Sequence, residues 1–456
     1  MPRHTHLLIL AVLAIMATVT PNDASAAGAL KQEPLARVLA RRHSQRFGEL
    51  SRFVSTAWAK QAATGTVITL TDDHLDSNGL IKPDVLRSLA LRKNLAGLSL
   101  RNTPVKSLSG LALLKNRLRY LDLYGTRTDD ASLKTVATLG QLRELDLGVT
   151  RVTAAGLAVL TTLGQLRVLD LSGRRMTDQA ITSITSTISI TSTRSLISLQ
   201  HLSLSGTRVT DAGVAQLSRL PRLQALALAG TRIEGRSLDA LSQLPALSLL
   251  DLADTDITGD SLAKLAGCRR LQALNLENCP LVVDASTVHL GRLKSLRGLV
   301  LRKTGFEKES ITGAGLVQIA RLTALEHLNL SATRIQDDSL IPLTQLKQLR
   351  SLNLGLTGLT NAGLVHLAKL PRLETLAVMY QEGFGGTKVT AAGLKHLESH
   401  KTLRDLDLTG TRITDADLPR FSALTQLKRL TISGTAITTA GAAKLARQLP
   451  DCKVVR

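Results

Sequence analysis

Leucines recur at a fixed spacing from residue 95 almost to the C-terminal end. Residues 142–165, LRELDLGVTRVTAAGLAVLTTLGQ, and residues 403–426, LRDLDLTGTRITDADLPRFSALTQ, follow one frame, LxxLxLxxTxhTxxGLxxLxxLxx, in which h is aliphatic. A degenerate earlier copy surrounds Ile68, Leu70 and Leu75. Self-similarity at one period is the signature of a repeat array. The frame begins at Leu95, Leu118, Leu142, Leu166, Leu199, Leu223, Leu247, Leu271, Leu296, Leu325, Leu349, Leu373, Leu403 and Leu427.

Two hydrophobic periods alternate within each copy. The LxL part has the period of two that is typical of a strand. The TxxGLxxLxxL part has apolar positions three and four apart and opens with Thr, which favours a short helix with a Thr N-cap. One such unit cannot bury its leucines, whereas stacked units can. Strands stack about 4.8 Å apart and helices about 8–10 Å apart, so the array must curve. The sequence predicts an α/β solenoid with parallel strands on the concave side and short helices on the convex side.

These repeats resemble leucine-rich repeats over about residues 65–456. The form Thr210-Asp211-Ala212-Gly213-Val214 is similar to the short bacterial type and to the repeats of F-box substrate adaptors and GALA-type effectors. Thr follows the strand where many leucine-rich repeats carry Asn, and Cys279 fills the same slot, as in the F-box-associated type. We expect this hydroxyl or thiol to bond the backbone of the neighbouring turn. The resemblance implies a horseshoe that binds proteins without catalysis.

The first 64 residues lie outside the period. Arg3, the apolar run of 13 residues from Leu7 to Val19, and Ala24-Ser25-Ala26 indicate a signal peptide over residues 1–26. Residues 27–64 are expected to form a basic helical cap over the exposed leucines of the first repeat, with a helix starting at Pro34. Because this segment carries seven basic and two acidic residues, an anion-binding arm is the alternative.

Composition narrows the choice of function. Apolar residues make up 44% of the 456 residues, which excludes wholesale disorder, while aromatic residues make up 2%. So few rings disfavour a nucleic-acid binder that stacks bases. A net charge of +21 favours anionic partners of any kind. Three cysteines, Cys268, Cys279 and Cys452, give no disulfide framework.

Sequence motifs for catalysis or metal binding are weak. Ser261 and Lys264 match SxxK, and His396 and His400 have an i,i+4 spacing that could hold a metal. Both pairs lie in ordinary repeat helices, so we interpret the first as structural and the second as surface residues. No catalytic residue, metal site or cofactor is predicted.

The concave face carries the candidate ligand-binding residues. A column inside LxL is rich in Asp and Asn, and columns of Arg and Lys flank it before and after the strands. Such columns are either a solvated consensus, with Arg and Asp neutralising one another, or a ligand surface with basic rims. All three tyrosines lie on this face or its edge, and tyrosine is enriched at binding hot spots. The predicted ligand-binding set is Tyr120, Tyr124, Tyr380, Asp122, Asp146, Asp170, Arg127, Arg151, Arg208 and Arg232.

Three insertions interrupt the period, at Ile181–Thr193, Phe306–Ser310 and Tyr380–Gly385. Long insertions in repeat arrays are commonly surface loops and sometimes bind ligands.

The function that the sequence favours is protein binding through the concave face, in the periplasm or outside the cell. The partner is a protein, of acidic character if charge selects it. A charge-driven binder of a polyanion, such as nucleic acid or an acidic cell-surface polymer, is the first alternative. An F-box-type substrate adaptor is the second, although residues 27–64 do not resemble an F-box. No membrane span is expected after removal of the signal peptide, and the oligomeric state is left open.

We predict that the mature chain begins at Ala27, because the small-residue cleavage site ends at Ala26. N-terminal sequencing of exported protein should therefore give Ala27 as the first residue. Exported material that still begins at Met1 would contradict this prediction.

Overall fold

The computed structural model describes residues 30–53, 65–185, 196–306, 309–381, 385–398 and 400–456. Within them one long sheet holds 17 strands, and two further pairs of strands form small hairpins. The strands are β1 (Lys31–Pro34), β2 (Thr66–Thr69), β3 (Leu95–Ser99), β4 (Tyr120–Asp122), β5 (Glu144–Asp146), β6 (Val168–Asp170), β7 (His201–Ser203), β8 (Ala225–Ala227), β9 (Leu249–Asp251), β10 (Ala273–Asn275), β11 (Gly298–Val300), β12 (Gly305–Phe306), β13 (Glu309–Ser310), β14 (His327–Asn329), β15 (Ser351–Asn353), β16 (Thr375–Ala377), β17 (Tyr380–Gln381), β18 (Gly385–Gly386), β19 (Asp405–Asp407), β20 (Arg429–Thr431) and β21 (Lys453–Val455).

From β2 onward, short helices connect the strands on the convex side. The α-helices are α1 (Leu35–Phe47), α2 (Pro83–Leu91), α3 (Asp130–Val136), α4 (Ala154–Leu157), α5 (Asp178–Thr185), α6 (Asp211–Gln216), α7 (Thr287–Leu290), α8 (Gly313–Ile319), α9 (Leu364–Leu367) and α10 (Thr439–Gln448). The 3₁₀ segments are Gly48–Phe53, Asp72–His74, Ser109–Leu114, Ala158–Thr162, Leu217–Arg219, Leu238–Gln243, Asp260–Gly267, Asp284–Ser286, Asp337–Gln345, Ala391–Leu397 and Asp415–Phe421.

The strands follow the repeat frame in parallel register. Each of the fourteen copies supplies one strand, and the degenerate first copy supplies β2. Leu121 lies opposite Leu145, and the same leucine-to-leucine register continues along the array. Strand β1 pairs antiparallel with β2 and closes one edge of the sheet. Strand β21 pairs with β20 at the other end. The predicted solenoid, with strands on the concave side and helices on the convex side, is confirmed.

The leucines of all copies form one continuous core that extends from Ile68 to Cys452. In a typical copy Leu142, Leu145 and Leu147 are almost fully buried. Each buried leucine contributes about 1.5–3 kcal/mol relative to an exposed one. Neighbouring copies supply the surfaces that bury it, so the stability of the array depends on stacking.

Several convex segments are 3₁₀ helices where the sequence predicted α-helices. Asp260–Gly267 and Asp337–Gln345 are examples. A 3₁₀ helix rises about 2.0 Å per residue against 1.5 Å in an α-helix, so it covers the convex side with fewer residues. A 3₁₀ helix therefore suits copies as short as these. In Asp337–Gln345, Pro342 also cannot donate the backbone hydrogen bond that an α-helix requires.

The Thr that follows each strand has a structural role. Thr126 Oγ1 donates to Leu123 O at 2.6 Å, and Thr231 Oγ1 donates to Leu228 O at 2.6 Å. These bonds lie within one turn, so the predicted bond to the neighbouring turn is wrong for Thr. It is right for Cys279, whose Sγ donates to Leu252 O of the preceding copy at 3.1 Å. Thr in the buried slot thus bonds a carbonyl group of its own turn, whereas Cys279 bonds one of the preceding copy.

The Thr-Asp-x-Gly sequence links adjacent copies on the convex side. Asp130 accepts from Thr153 N at 2.7 Å and from Thr153 Oγ1 at 2.6 Å in the next copy. The same contacts join Asp178 to Thr210. A Cβ atom on Gly156 would lie 2.3 Å from Asp130 Oδ1, so the glycine leaves room for the carboxylate. The consensus therefore encodes a ladder of carboxylate bridges between copies.

The insertions differ in what they form. Strands β12 and β13 make one small hairpin, and β17 and β18 make another. Helix α5 extends into the first insertion, and residues 186–193 of that insertion lie outside the described residues. The expected signal peptide and Trp58 also lie outside them.

We predict that Gly156→Ala destabilises the protein because its methyl group displaces Asp130 from the bridge to Thr153. The loss should be about 1–3 kcal/mol, as in other overpacked sites, and should lower the melting temperature. Gly140 is the control, since a Cβ atom added there would have no heavy atom within 4 Å. Gly140→Ala should change the free energy of unfolding by less than about 0.5 kcal/mol. Equal shifts for both variants, measured by circular dichroism, would refute the bridge.

Candidate functional site on the concave face

Burial of the strand residues changes along the concave face. In β4 to β8 and in β11 all three residues are buried. In β15, β16 and β19 only the central leucine is buried, and the residues on either side are half-buried. Since the outer two residues of each strand point away from the leucine core, another part of the protein covers the first half of this face.

The N-terminal segment is that cover. Helix α1 and the turn Gly48–Phe53 lie across the strands from β2 to β11. Leu35, Val38 and Leu39 form one apolar cluster with Val67, Ala96, Tyr120 and Val168. Phe47 and Leu50 form a second cluster with Ala225, Ala227, Leu249, Ala273 and Val300. The expected cap is thus only part of the role of this segment. Strand β1 covers the end of the sheet, and α1 extends along the concave face.

Arg46 on α1 binds the acidic column of the repeats. Its Nη1 donates to Glu144 Oε1 at 2.6 Å and its Nε donates to Asp170 Oδ2 at 3.1 Å. Its Nη2 lies 3.8 Å from Asp146 Oδ2. Burial opposes the charge of Arg46, but the carboxylates of Glu144, Asp170 and Asp146 outweigh it and raise the pKa of Arg46. Burial and the charge of Asp170 raise the pKa of Asp146 to about 6, and Arg46 limits that rise.

Arg42, one helical turn earlier, makes the second polar contact. It forms an ion pair with Asp122, whose side chain is fully buried. Arg42 Nε also donates to the hydroxyl of Tyr120 at 3.2 Å. Arg101 Nε approaches Asp122 Oδ2 from the other side, at 3.3 Å. Burial raises the pKa of Tyr120 to about 12, so this phenol stays protonated at neutral pH.

His43 lies beside Arg42 on α1, and its ring packs near that of Phe47 at the end of the helix. Its Nε2 is 2.7 Å from Ser51 O, and its ring lies 5.4 Å from that of His201. Burial lowers the pKa of His43 to about 4, so the ring is neutral and donates to Ser51. The segment is therefore held by apolar, neutral polar and charged contacts along its whole length.

The predicted ligand-binding residues fall into three groups. Tyr120, Asp122, Asp146 and Asp170 lie beneath α1. Tyr124 lies just beyond β4, where Arg101 stacks 3.9 Å from its ring centre, and Tyr380 lies in the hairpin of the second half. The rim arginines are exposed after their strands: Arg127, Arg151, Arg208 and Arg232.

The acidic column also has a local role. Asp146 Oδ1 accepts from Gly148 N at 3.0 Å, and Asp170 Oδ1 accepts from Ser172 N at 2.9 Å. Asn353 and Asp407 make the same contact in the second half of the array. Asp and Asn thus stabilise the turn that follows each strand, whatever else they bind.

In the first half of this face the acidic column pairs with α1 and Arg101 rather than with the rim arginines. Arg42, Arg46 and Arg101 pair with the three carboxylates of the acidic column in β4 to β6, which are Asp122, Asp146 and Asp170. Among the described residues the four rim arginines of the predicted set have no carboxylate within 4.0 Å. Before the strands Arg297 does pair with Glu326, at 2.7 Å. Arg42 and Arg46, two of the four arginines of α1, are paired with carboxylates of the repeats, so these two are not free to bind another anion.

One signal in the sequence marks the covered region. The signal is the column formed by the residue just before the central aliphatic residue of each strand. A search that considers only charged positions overlooks this column. Beneath α1 this column is mostly apolar or small, and from β14 onward it is polar. The column reads Gly97, Tyr120, Glu144, Val168, His201, Ala225, Leu249, Ala273, Gly298, His327, Ser351, Thr375, Asp405, Arg429 and Lys453.

The weak chemical motifs have structural contacts. Ser261 Oγ donates to Thr258 O at 2.7 Å. His400 is buried rather than on the surface, and its Nε2 lies 2.8 Å from Leu367 O. The three cysteines are free and buried. Within the described residues no group of three or more His, Cys, Asp or Glu side chains could hold a metal. Nor is any helix there long and apolar enough to span a membrane.

Family models agree with this geometry. A leucine-rich repeat model matches residues 197–257 and 221–281, and a second one matches residues 399–418. The chain is a leucine-rich repeat protein. No curated protein sequence matches it.

Several solved structures are similar to this leucine-rich repeat protein. An internalin, InlF, of Listeria monocytogenes is 18% identical, with 83% of this chain and 96% of that chain covered and a TM-score of 0.44. A leucine-rich repeat protein of Leptospira interrogans is 19% identical, covers 82% and 98%, and has a TM-score of 0.45. TLR13 in complex with ssRNA13 is 18% identical, covers 85% and 65%, and has a TM-score of 0.50.

We predict that Arg46→Ala detaches α1 from the concave face, because it leaves the buried carboxylates of Glu144 and Asp170 without their ion-pair partner. Removing one member of a buried ion pair costs about 3–5 kcal/mol. Amide hydrogen exchange of residues 35–47 should become faster by at least about tenfold. The control is Arg41→Ala, which removes an ion pair of 2.9 Å between Arg41, 43% exposed, and Glu33. It should change exchange little, since exposed pairs contribute about 0–1 kcal/mol. Unchanged exchange in Arg46→Ala would contradict this view of the interface.

Proposed function

We propose that this protein is an exported, non-catalytic binding protein whose partner is a protein held on the open half of the concave face. The observation that carries the proposal is the change from buried to half-buried strand residues at β14. Leucine-rich repeat proteins generally mediate protein binding, and among the described strands those of the second half have the more exposed concave residues. The sequence features of residues 1–26 support export to the periplasm or beyond the cell.

The chemistry of the open half suits a polar protein surface. Ser351, Asn353 and Thr375 offer hydroxyl and amide groups, and Asp405 lies beside Arg429. Burial raises the pKa of Asp405, the charge of Arg429 opposes this rise, and Asp407 adds to it. From β14 to β21 six strands span about 25 Å at 4.8 Å per strand. This length fits an interface of about 800 Å² per partner.

Tyr380 lies at the edge of this open half. Its ring centre is 5.8 Å from the guanidinium of Arg412, and its backbone N donates to Thr409 O at 2.9 Å. A tyrosine with a fixed backbone offers contact area at low entropic cost. We therefore place Tyr380 within the interface, whereas Tyr120 is occupied by α1.

The exposed rim arginines support a second candidate, charge-driven binding of a polyanion. Arg127, Arg151, Arg208 and Arg232, with Arg175 between Arg151 and Arg208, form a column along successive copies without carboxylate partners among the described residues. Binding to a polyanion would weaken steeply between low and moderate salt, whereas contact with a polar protein surface would weaken less.

We predict that Thr375→Arg weakens partner binding by at least about tenfold, because a long charged side chain in the centre of the open half prevents close contact. The partner is first captured with the mature protein from the native exported fraction, and its affinity is then measured by calorimetry. Val365→Arg is the control in the same copy, since Val365 lies 41% exposed on the convex helix α9.

The control should keep the affinity of the parent within about twofold, as surface substitutions usually do. Equal affinities for Thr375→Arg and the parent, together with a steep loss of binding in moderate salt, would favour the polyanion.

A further inference from the structure

The copy that contains β6 departs from the repeat frame at the buried Thr slot. It reads Gly173-Arg174-Arg175 where the preceding copy reads Val149-Thr150-Arg151 and the following copy reads Gly206-Thr207-Arg208. Thr150 and Thr207 are buried and donate to carbonyl groups of their own turns. An Arg side chain is too long for this slot, and Arg174 is exposed. One copy of the array therefore lacks the contact that closes the turn after the strand.

A hollow of about 760 Å³ opens at this position, along the ends of β4 to β7. We call it the Arg174 hollow. Its wall includes Tyr124, Arg151, Ser172, Arg174, Arg175 and Ser205. The turn has a different shape from those of the adjacent copies, with φ of 110° at Gly173 against 54° at Val149 and 66° at Gly206. Ligand pockets for small molecules commonly have volumes of about 300–1,000 Å³.

The charge of the Arg174 hollow is uncompensated. Three guanidinium groups line it, and no carboxylate does. Among the described residues none of the three arginines has an Asp or Glu oxygen within 4.0 Å. The pKa of Asp129 is lowered mainly by hydrogen bonds from Ser132, and the nearby charge of Arg151 makes a smaller contribution. Clustered positive charges repel one another, and an anion between them removes this cost.

We propose that the Arg174 hollow binds a small multivalent anion that carries phosphate or carboxylate groups. Arg presents a planar fork of donors that fits both groups in a bidentate manner. The hydroxyls of Ser172 and Ser205 add donors to the wall. The site is separate from the open half of the concave face, so it does not depend on the proposed protein partner.

The test is calorimetric titration of the full mature chain, in phosphate-free buffer at low salt, with pyrophosphate, citrate and glucose. Pyrophosphate and citrate distinguish phosphate from carboxylate recognition, and neutral glucose should not bind. Arg174→Thr restores the residue that the frame places there, so the fold should be retained. We expect it to weaken binding of the preferred anion by at least about tenfold, which is the usual contribution of a charged hydrogen-bond partner.

Arg219→Thr is the matched control, because it removes the same charge from an exposed site on the convex side. It should change the affinity by less than about twofold. Thr375→Arg should also leave anion binding unchanged, which separates this proposal from that of the protein partner. The proposal is overturned if neither anion binds below about 10 mM, or if Arg174→Thr and Arg219→Thr weaken binding equally.

Discussion

The whole structure depends on the inability of one repeat to bury its own leucines. A strand of three residues and a helix of one or two turns leave an apolar face that only the next copy can cover. This requirement explains the continuous core from Ile68 to Cys452 and the nearly constant spacing of the copies. It also explains why polar groups in the turns bond to backbone atoms of their own copy or of its neighbour. Each such group is buried or half-buried and needs a partner.

Both ends of such an array need protection, and the N-terminal segment provides more than that. Strand β1 occupies the edge of β2, and α1 then occupies the concave face over half of the array. Its arginines bind carboxylates that would otherwise form an acidic stripe on the open surface. The face is thus divided into a half that binds the protein's own helix and a half that is accessible to other molecules.

Departures from the frame are informative because the frame itself has a structural explanation. Thr, Asp and Gly in the consensus bond to or make room for neighbouring backbone and carboxylate groups, so their presence needs no ligand. Arg174 has no such explanation, because it replaces a buried hydroxyl by an exposed charge. Positions at which local rules fail are often functional or strained, which is the reason for assigning a site there.

The sequence alone determined the number of copies, the strands, the curvature and the core, because each of these follows from a local period that repeats fourteen times. The position of α1 was decided by tertiary structure. Its polar contacts with the concave face join residues 78 to 124 positions apart, such as Arg42 with Tyr120 and Arg46 with Asp170. An amphipathic helix shows which of its faces is apolar but not which surface will cover it. For the same reason the sequence identified Tyr120 and Asp122 as concave residues without showing that α1 covers them.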